Sequence, residues 1–365
     1  MFAHNGYFEI DILAPKGHVI HASRHARRTI AYTGESELGE SLLQVLQANE
    51  YAGIHCIDES SRNLVLRHCG EPLLQPYLPF PVDSPLNESS CDKVSFYRWC
   101  VENSLPVPRS LVAGNAEALP IVAQEMGYPF ILKGALGSRG STVSLIETEA
   151  QLVAASAKYP DMPAWLLQEY LVGPAGTTSL VCRQGKVCTT CSSYKTVTLD
   201  GGFGTSAVKE FVRSDELDEL AEVVAKATQV NGATGYDWML NSAGRVLMID
   251  PHFGRGPSSM IISHLDGVDI DEALYMSLTD GPCVTRKASV SAFVWIFPQC
   301  LSLFFEGRIT EAWRAANPLR RDVSVFLYGG GESVLFFKQV CPIVCGKLRV
   351  LAGAIKAKVL GSSSA

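Results

Sequence analysis

Tyr128-Pro-Phe-Ile-Leu-Lys133-Gly-Ala-Leu-Gly137-Ser-Arg-Gly140-Ser-Thr-Val143 is the stretch on which the fold turns. Phe130–Lys133 is an apolar, β-rich run, and Thr142–Ile146 is a second one, with three glycines in the turn between them. A lysine thus ends a strand and leads directly into a glycine-rich loop. Backbone N–H groups in such a turn can converge on phosphate oxygens while the lysine adds a point charge. The order differs from a P-loop, whose lysine follows its glycines and opens a helix. Taken alone, the segment also suits an ordinary glycine-rich hairpin with a chance lysine.

Reading outward adds partners in a fixed order. Asp92-Lys93 opens a helix that runs to Asn103. Leu167-Gln168-Glu169-Tyr170-Leu171 closes a strand beginning at Trp165. Gly235–Leu240 and Val246–Asp250, joined by Asn241-Ser-Ala-Gly244, form a hairpin, so Asp237 and Asp250 can face one site. Paired carboxylates beside bound phosphates suit Mg²⁺, which takes a few oxygen ligands and keeps waters.

With these segments in hand, the chain resembles the ATP-grasp superfamily over residues 8–275. The resemblance implies an α/β plus α+β architecture, with a small N-terminal parallel-sheet domain followed by two α+β subdomains that grip ATP. Domains are expected at 1–88, 89–280 and 281–365, the last a basic, apolar extension. It further implies that Lys93 and Lys133 bind phosphate and that the loop carrying Gly137, Ser138, Gly140 and Ser141 closes over it. Gln168, Glu169, Tyr170 and Leu171 match the hinge, with backbone groups of Glu169 and Leu171 on the adenine edge. Asp237 matches a metal-binding acid, and Asp250 falls where the family usually has a metal-binding asparagine. The usual second acid would sit at Met248, whose thioether is a poor ligand for a hard cation. His252 falls where a substrate-facing arginine is common.

The implied reaction is ATP-dependent activation of a small-molecule carboxylate as an acyl phosphate, followed by attack of an amine. ATP and Mg²⁺ are the implied cofactors, with Lys133, His252 and Arg255 as the catalytic set. Within His252-Phe-Gly-Arg255-Gly-Pro-Ser258-Ser259, the Arg255 fork suits a substrate carboxylate. A solvated glycine loop with an unpaired arginine fits the same segment. The alternative function is a nucleotide-binding module with weak or no catalysis, suggested by Met248.

Elsewhere, Phe8–Ala14 alternates as a strand, Ser36–Asn49 and Ser60–Cys69 have helical spacing, and Gly53–Ile57 is expected to be a short strand. This β–α–β–α order predicts a small parallel sheet that lacks its first strand. Pro72–Pro85 reads as a linker, and Asp215–Thr228 as an amphipathic helix with an acidic first turn. Ala288–Phe305 is uncharged and is expected to be one buried or partner-facing helix in preference to a membrane span. Across the last 85 residues, 11 Lys/Arg stand against 4 Asp/Glu, which leaves membrane-surface contact as a less favoured role.

A net charge of −6 over 365 residues gives no basic face for nucleic acid. Neither a basic segment nor an apolar one follows Met1, so the cytoplasm is the expected compartment. The 11 cysteines are odd in number and mostly in apolar contexts, as reduced core thiols would be. Cys188-Thr-Thr-Cys191 has zinc-like spacing without further ligands, and reads as a strand. The sequence leaves the oligomeric state and the substrates' identity open.

Overall fold

The computed structural model describes residues 6–90, 92–137, 141–199, 204–283 and 286–327. In chain order the elements are β1 (Ile10–Pro15), β2 (Ala26–Tyr32), α1 (Glu35–Ala48), α2 (Glu59–Arg67), α3 (Leu86–Ser89), α4 (Lys93–Glu102), β3 (Ser110–Ala113) and α5 (Leu119–Met126). They continue through β4 (Phe130–Gly134), β5 (Val143–Ile146), α6 (Glu149–Ser156), β6 (Trp165–Glu169), β7 (Ala175–Arg183), β8 (Lys186–Thr198) and β9 (Ser206–Val212). The remainder are α7 (Asp215–Thr228), β10 (Gly232–Leu240), β11 (Val246–Pro251), α8 (Ile270–Leu278), β12 (Phe293–Phe297), α9 (Gln299–Phe305), α10 (Ile309–Ala315) and β13 (Val323–Leu327). The chain divides into two compact units, one built from Gly34–Lys195 and Glu210–Val290, the other from the segments outside them.

In the first unit a four-stranded antiparallel sheet has the order β3-β6-β4-β5. Strand alternation assigns its two faces. Phe130 and Leu132 of β4, with Trp165 and Leu167 of β6, are buried against Leu119 and Ala123 of α5 and Leu152 and Ala155 of α6. The opposite face therefore receives Lys133 and Leu166, and Leu166 packs there with Val94 of α4 and Ala135.

A second antiparallel set runs β11-β10-β7-β8. Tyr236 and Trp238 of β10 and Leu180 and Cys182 of β7 join a core with Leu217, Leu220, Ala221 and Val224 of α7. Three acids in the first turn of α7, Asp215, Glu216 and Asp218, suit the positive end of its dipole. Phe96, Trp99 and Phe253 extend this core, with Phe96 and Phe253 edge to face at 5.2 Å between centroids.

In the second unit β1 and β2 pair in parallel, joined through a 3₁₀ turn at Val19–Ala22. The expected parallel strand at Gly53–Ile57 is instead irregular, with Ile57 turned to solvent. β2, whose Arg27-Arg28-Thr29 run disguises it, is the actual partner of β1. Ala288–Phe305 is likewise not one helix: Phe293–Phe297 is strand β12, paired in parallel with β13, and α9 begins after Pro298. The aromatic and β-branched run favours the strand, and proline separates it from the helix. Among the described residues no helix is long and apolar enough to cross a membrane.

Candidate functional site

Lys93 is placed by the start of its helix. Asp92 caps α4 by accepting from Val94 N at 3.0 Å and Ser95 N at 2.8 Å. Lys93 N donates to Ala135 O at 2.9 Å, which ties the first turn of α4 to the glycine loop after β4. Its Nζ donates to the carbonyl of Gly137. Close approach explains two of the loop's glycines: a Cβ on Gly134 would meet Met162, and Gly137 holds φ +127° against Thr142. Ser138 and Gly140 lie outside the described residues. Ser141 is exposed, and its carbonyl accepts from the Tyr159 hydroxyl at 2.6 Å.

Lys133 is buried and donates from Nζ to Ile249 O at 2.8 Å. Burial pushes its pKa down to about 8, with Lys93 and Lys195 adding to the shift and Asp250 and Asp237 opposing it. Lys93, Lys133, Gln168 and Asp250 line one small pocket.

Asp237 lies on β10 between Tyr236 and Trp238, so alternation turns it away from the core that they occupy. It is paired in register with Thr177 of β7 on one side and Asp250 of β11 on the other. Thr177 Oγ1 donates to Asp237 Oδ1 at 2.7 Å, Lys195 Nζ lies 2.5 Å from Oδ2, and His252 Nε2 lies 3.2 Å from Oδ1. Burial alone would raise the Asp237 pKa, but Lys195 and His252 outweigh it and hold the carboxylate well below its usual range.

The pairing of β10 with β11 shifts register between Asp237 and Trp238, so Asp237 faces Asp250 while Trp238 faces Met248. Ile249 is the extra residue of this bulge. Met248 is consequently 1% exposed and buried with Trp238 and Phe253. Met248 thus lies off the face that carries Asp237 and Asp250, where an even two-residue step would have put it on the face of Asp250.

After β11 the chain turns back across β10, with His252 N donating to Gly235 O at 2.8 Å and Arg255 N to His252 O at 3.2 Å. Arg255 Nε and His252 Nδ1 are buried without a hydrogen-bond partner among the described residues. Such atoms ordinarily find a partner, which makes them candidates for a bound anion or polar substrate group. Arg62 of α2, fully buried, donates from Nη1 to Phe253 O and from Nη2 to Ser90 O, each at 2.9 Å, and so pins the same turn.

At the expected hinge, Gln168 is buried and its Nε2 donates to Ser110 Oγ at 3.3 Å. The N–H of Glu169 donates to Arg109 O at 2.9 Å, and its carboxylate accepts from Arg109 N at 2.9 Å. The Glu169 N–H is therefore committed to β-pairing. Tyr170 and Leu171 follow at the surface side of the strand end.

Among the described residues no three His, Cys, Asp or Glu side chains gather into a closed metal site. Asp237 and Asp250 could hold Mg²⁺ nonetheless, since this ion is commonly bound by one or two carboxylates with phosphate and water completing its shell. Cys188 and Cys191 are both free thiols in β8, and Cys191 Sγ lies 3.9 Å from Asp266 Oδ2.

Lys195, Thr177 and Arg62 were not singled out by sequence reasoning. For Lys195 a signal exists, because Lys186–Thr198 carries no other charge past its first residue. A lysine inside such a strand implies a partner, though the sequence does not identify it.

A family model described as the ATP-grasp domain matches residues 90–254. The arginine-specific large chain of carbamoyl phosphate synthase from Geobacillus stearothermophilus is 30% identical over 146 residues, or 39% of this chain and 13% of that protein. The chain thus matches a small part of that relative's length. Among solved structures, an ADP complex of N5-carboxyaminoimidazole ribonucleotide synthetase aligns with a TM-score of 0.62 at 15% identity, covering 77% of this chain and 73% of the other. Biotin carboxylase from Campylobacter jejuni, in a β,γ-ATP complex, aligns with a TM-score of 0.59 at 16% identity, covering 76% and 67%. At these identities the likeness is one of fold.

Proposed function

Residues 90–254 are an ATP-grasp domain, and from that premise we propose that the chain uses ATP to join a small-molecule carboxylate to an amine. The observation that carries this reading is the convergence of buried Lys133 with Lys93, Asp237 and Asp250 beside the glycine loop. Phosphoryl transfer asks a protein for position and charge neutralisation, which lysines supply without a nucleophilic side chain.

In this reading Lys93 and Lys133 hold the phosphates, and backbone groups of Glu169 and Leu171 meet the adenine. When bound, Mg²⁺ would be held by Asp237 and Asp250 and would neutralise phosphate charge. Arg255 presents its buried, unpartnered Nε to the substrate carboxylate, with His252 Nδ1 beside it on the same turn. A carboxylate oxygen attacks the γ-phosphorus, the bond to the bridging oxygen breaks, and ADP leaves. The amine nitrogen then attacks the acyl carbon, the C–O bond to phosphate breaks, and the amine proton passes to solvent as phosphate departs.

The experiment is an ADP-release screen of small carboxylates, each with and without amines, at millimolar Mg²⁺. Stimulation that needs both a carboxylate and an amine is expected. ATP binding with no stimulated turnover across amino acids, peptides and simple acids would overturn the ligase assignment and favour a binding module.

A further inference from the structure

Both oxygens of the Asp237 carboxylate are engaged without any metal. Oδ1 accepts from Thr177 and lies beside His252, and Oδ2 holds the Lys195 ammonium at 2.5 Å. Both ends of the ion pair are shielded, with the side chains of Lys195 and Asp237 20% and 11% exposed. We infer that Lys195 is a built-in cation on Asp237 that makes divalent-metal binding conditional on nucleotide. The inference rests on the reading of Asp237 and Asp250 as the Mg²⁺ pair.

The charge count supports it. Two carboxylates, Asp237 and Asp250, stand against three ammonium groups, Lys93, Lys133 and Lys195, whose charges Lys133 feels from its buried position. A divalent cation arriving alone meets a site with one positive charge in excess, and must displace an ammonium from its most shielded acid. Coulomb repulsion in a partly desolvated site is far larger than in water. A nucleotide reverses the balance by bringing several negative oxygens, and it offers Lys195 a second acceptor. Lysine suits the exchange, being a compact charge on a flexible stem. Once Lys195 turns to phosphate, Oδ2 of Asp237 opens to the metal, while Thr177 continues to hold Oδ1. Metal and nucleotide then bind as a pair, and the ligand-free site rejects stray divalent ions.

Mn²⁺ binding, read by the electron paramagnetic resonance of the free ion, tests this on the full chain. Wild type should bind Mn²⁺ weakly alone and tightly with ADP or a non-hydrolysable ATP analogue. Lys195→Met should bind Mn²⁺ without nucleotide about tenfold or more tighter than wild type, since one repulsive charge is gone. Lys195→Arg, which keeps charge and bulk, should stay as weak as wild type. Lys195→Met no tighter than wild type, or Lys195→Arg gaining equally, would overturn the inference. Failure of wild type to bind Mn²⁺ even with nucleotide would instead overturn the metal reading beneath it.

Discussion

Asp237 and Asp250 stand opposite each other on neighbouring strands, although Met248, two residues before Asp250, pairs with Trp238 in the core. One inserted residue, Ile249, accounts for both facts. The bulge lets one strand give an apolar side chain to the core and a carboxylate to the site. Its carbonyl also accepts from Lys133, so the same residue orients the lysine.

Met248→Glu follows from this geometry. A glutamate there would be buried among Trp238, Phe96 and Phe253, with no gain in turnover, and stability should fall by about 3 kcal/mol or more. Urea denaturation and ADP release check the two halves. Higher turnover would mean that position 248 does reach the metal pair, and would favour a decayed catalytic site.

Lys133 gives a pH dependence. Its pKa lies near 8, below the ordinary 10.5, so the free protein presents a cation below pH 8 and loses it as pH rises. Phosphate binding favours the charged form, hence affinity for nucleotide should fall above pH 8 by up to about tenfold per pH unit. Titration with ADP from pH 7 to 9.5 measures it, and Lys133→Met should bind weakly with a flat profile over this range. An affinity that rises above pH 8 would show that Lys133 does not meet phosphate.

Gly137→Ala probes the loop. At φ +127° with Thr142 against the missing Cβ, alanine cannot keep the conformation, and destabilisation should exceed about 1 kcal/mol. Since Lys93 bonds the Gly137 carbonyl, nucleotide affinity should drop with it. Calorimetric binding of ADP to a variant whose melting temperature barely moves would contradict this coupling.

How much was legible follows from what each residue depends on. Lys93, Lys133 and the two hairpin acids stand in local patterns, a helix start, a strand end and a turn, which short stretches of sequence reveal. Asp215–Thr228 was readable for the same reason, its period and acidic first turn being local. The bulge at Ile249 was not, because a bulge is a property of two strands. Lys195 and Thr177 depend on which strand lies beside β10, and β2 was hidden because its arginines serve exposed positions of a strand that only its partner identifies. Regular alternation along Val246–Asp250 would set Met248 and Asp250 on one face, and only the pairing with β10 shows that they lie on different ones.

Arg62 is where packing and function meet. The residue is 1% exposed, and its guanidinium satisfies the carbonyls of Phe253 and Ser90 from a helix 191 residues before the first of them. Arg62→Ala removes both donors and leaves a void, which should cost about 3 kcal/mol. Lysine keeps the charge but lacks the planar fork that sets two separate nitrogens on the two carbonyls, so Arg62→Lys should recover only part of this. Phe253 lies between His252 and Arg255, so loosening its carbonyl frees the turn that presents both to substrate. In the Arg62→Lys protein, the KM for the carboxylate should therefore rise several-fold while ADP affinity, set by Lys93 and Lys133 on other elements, stays near wild type. Equal loss of ADP and carboxylate binding would make Arg62 a general stabiliser with no particular hold on the turn.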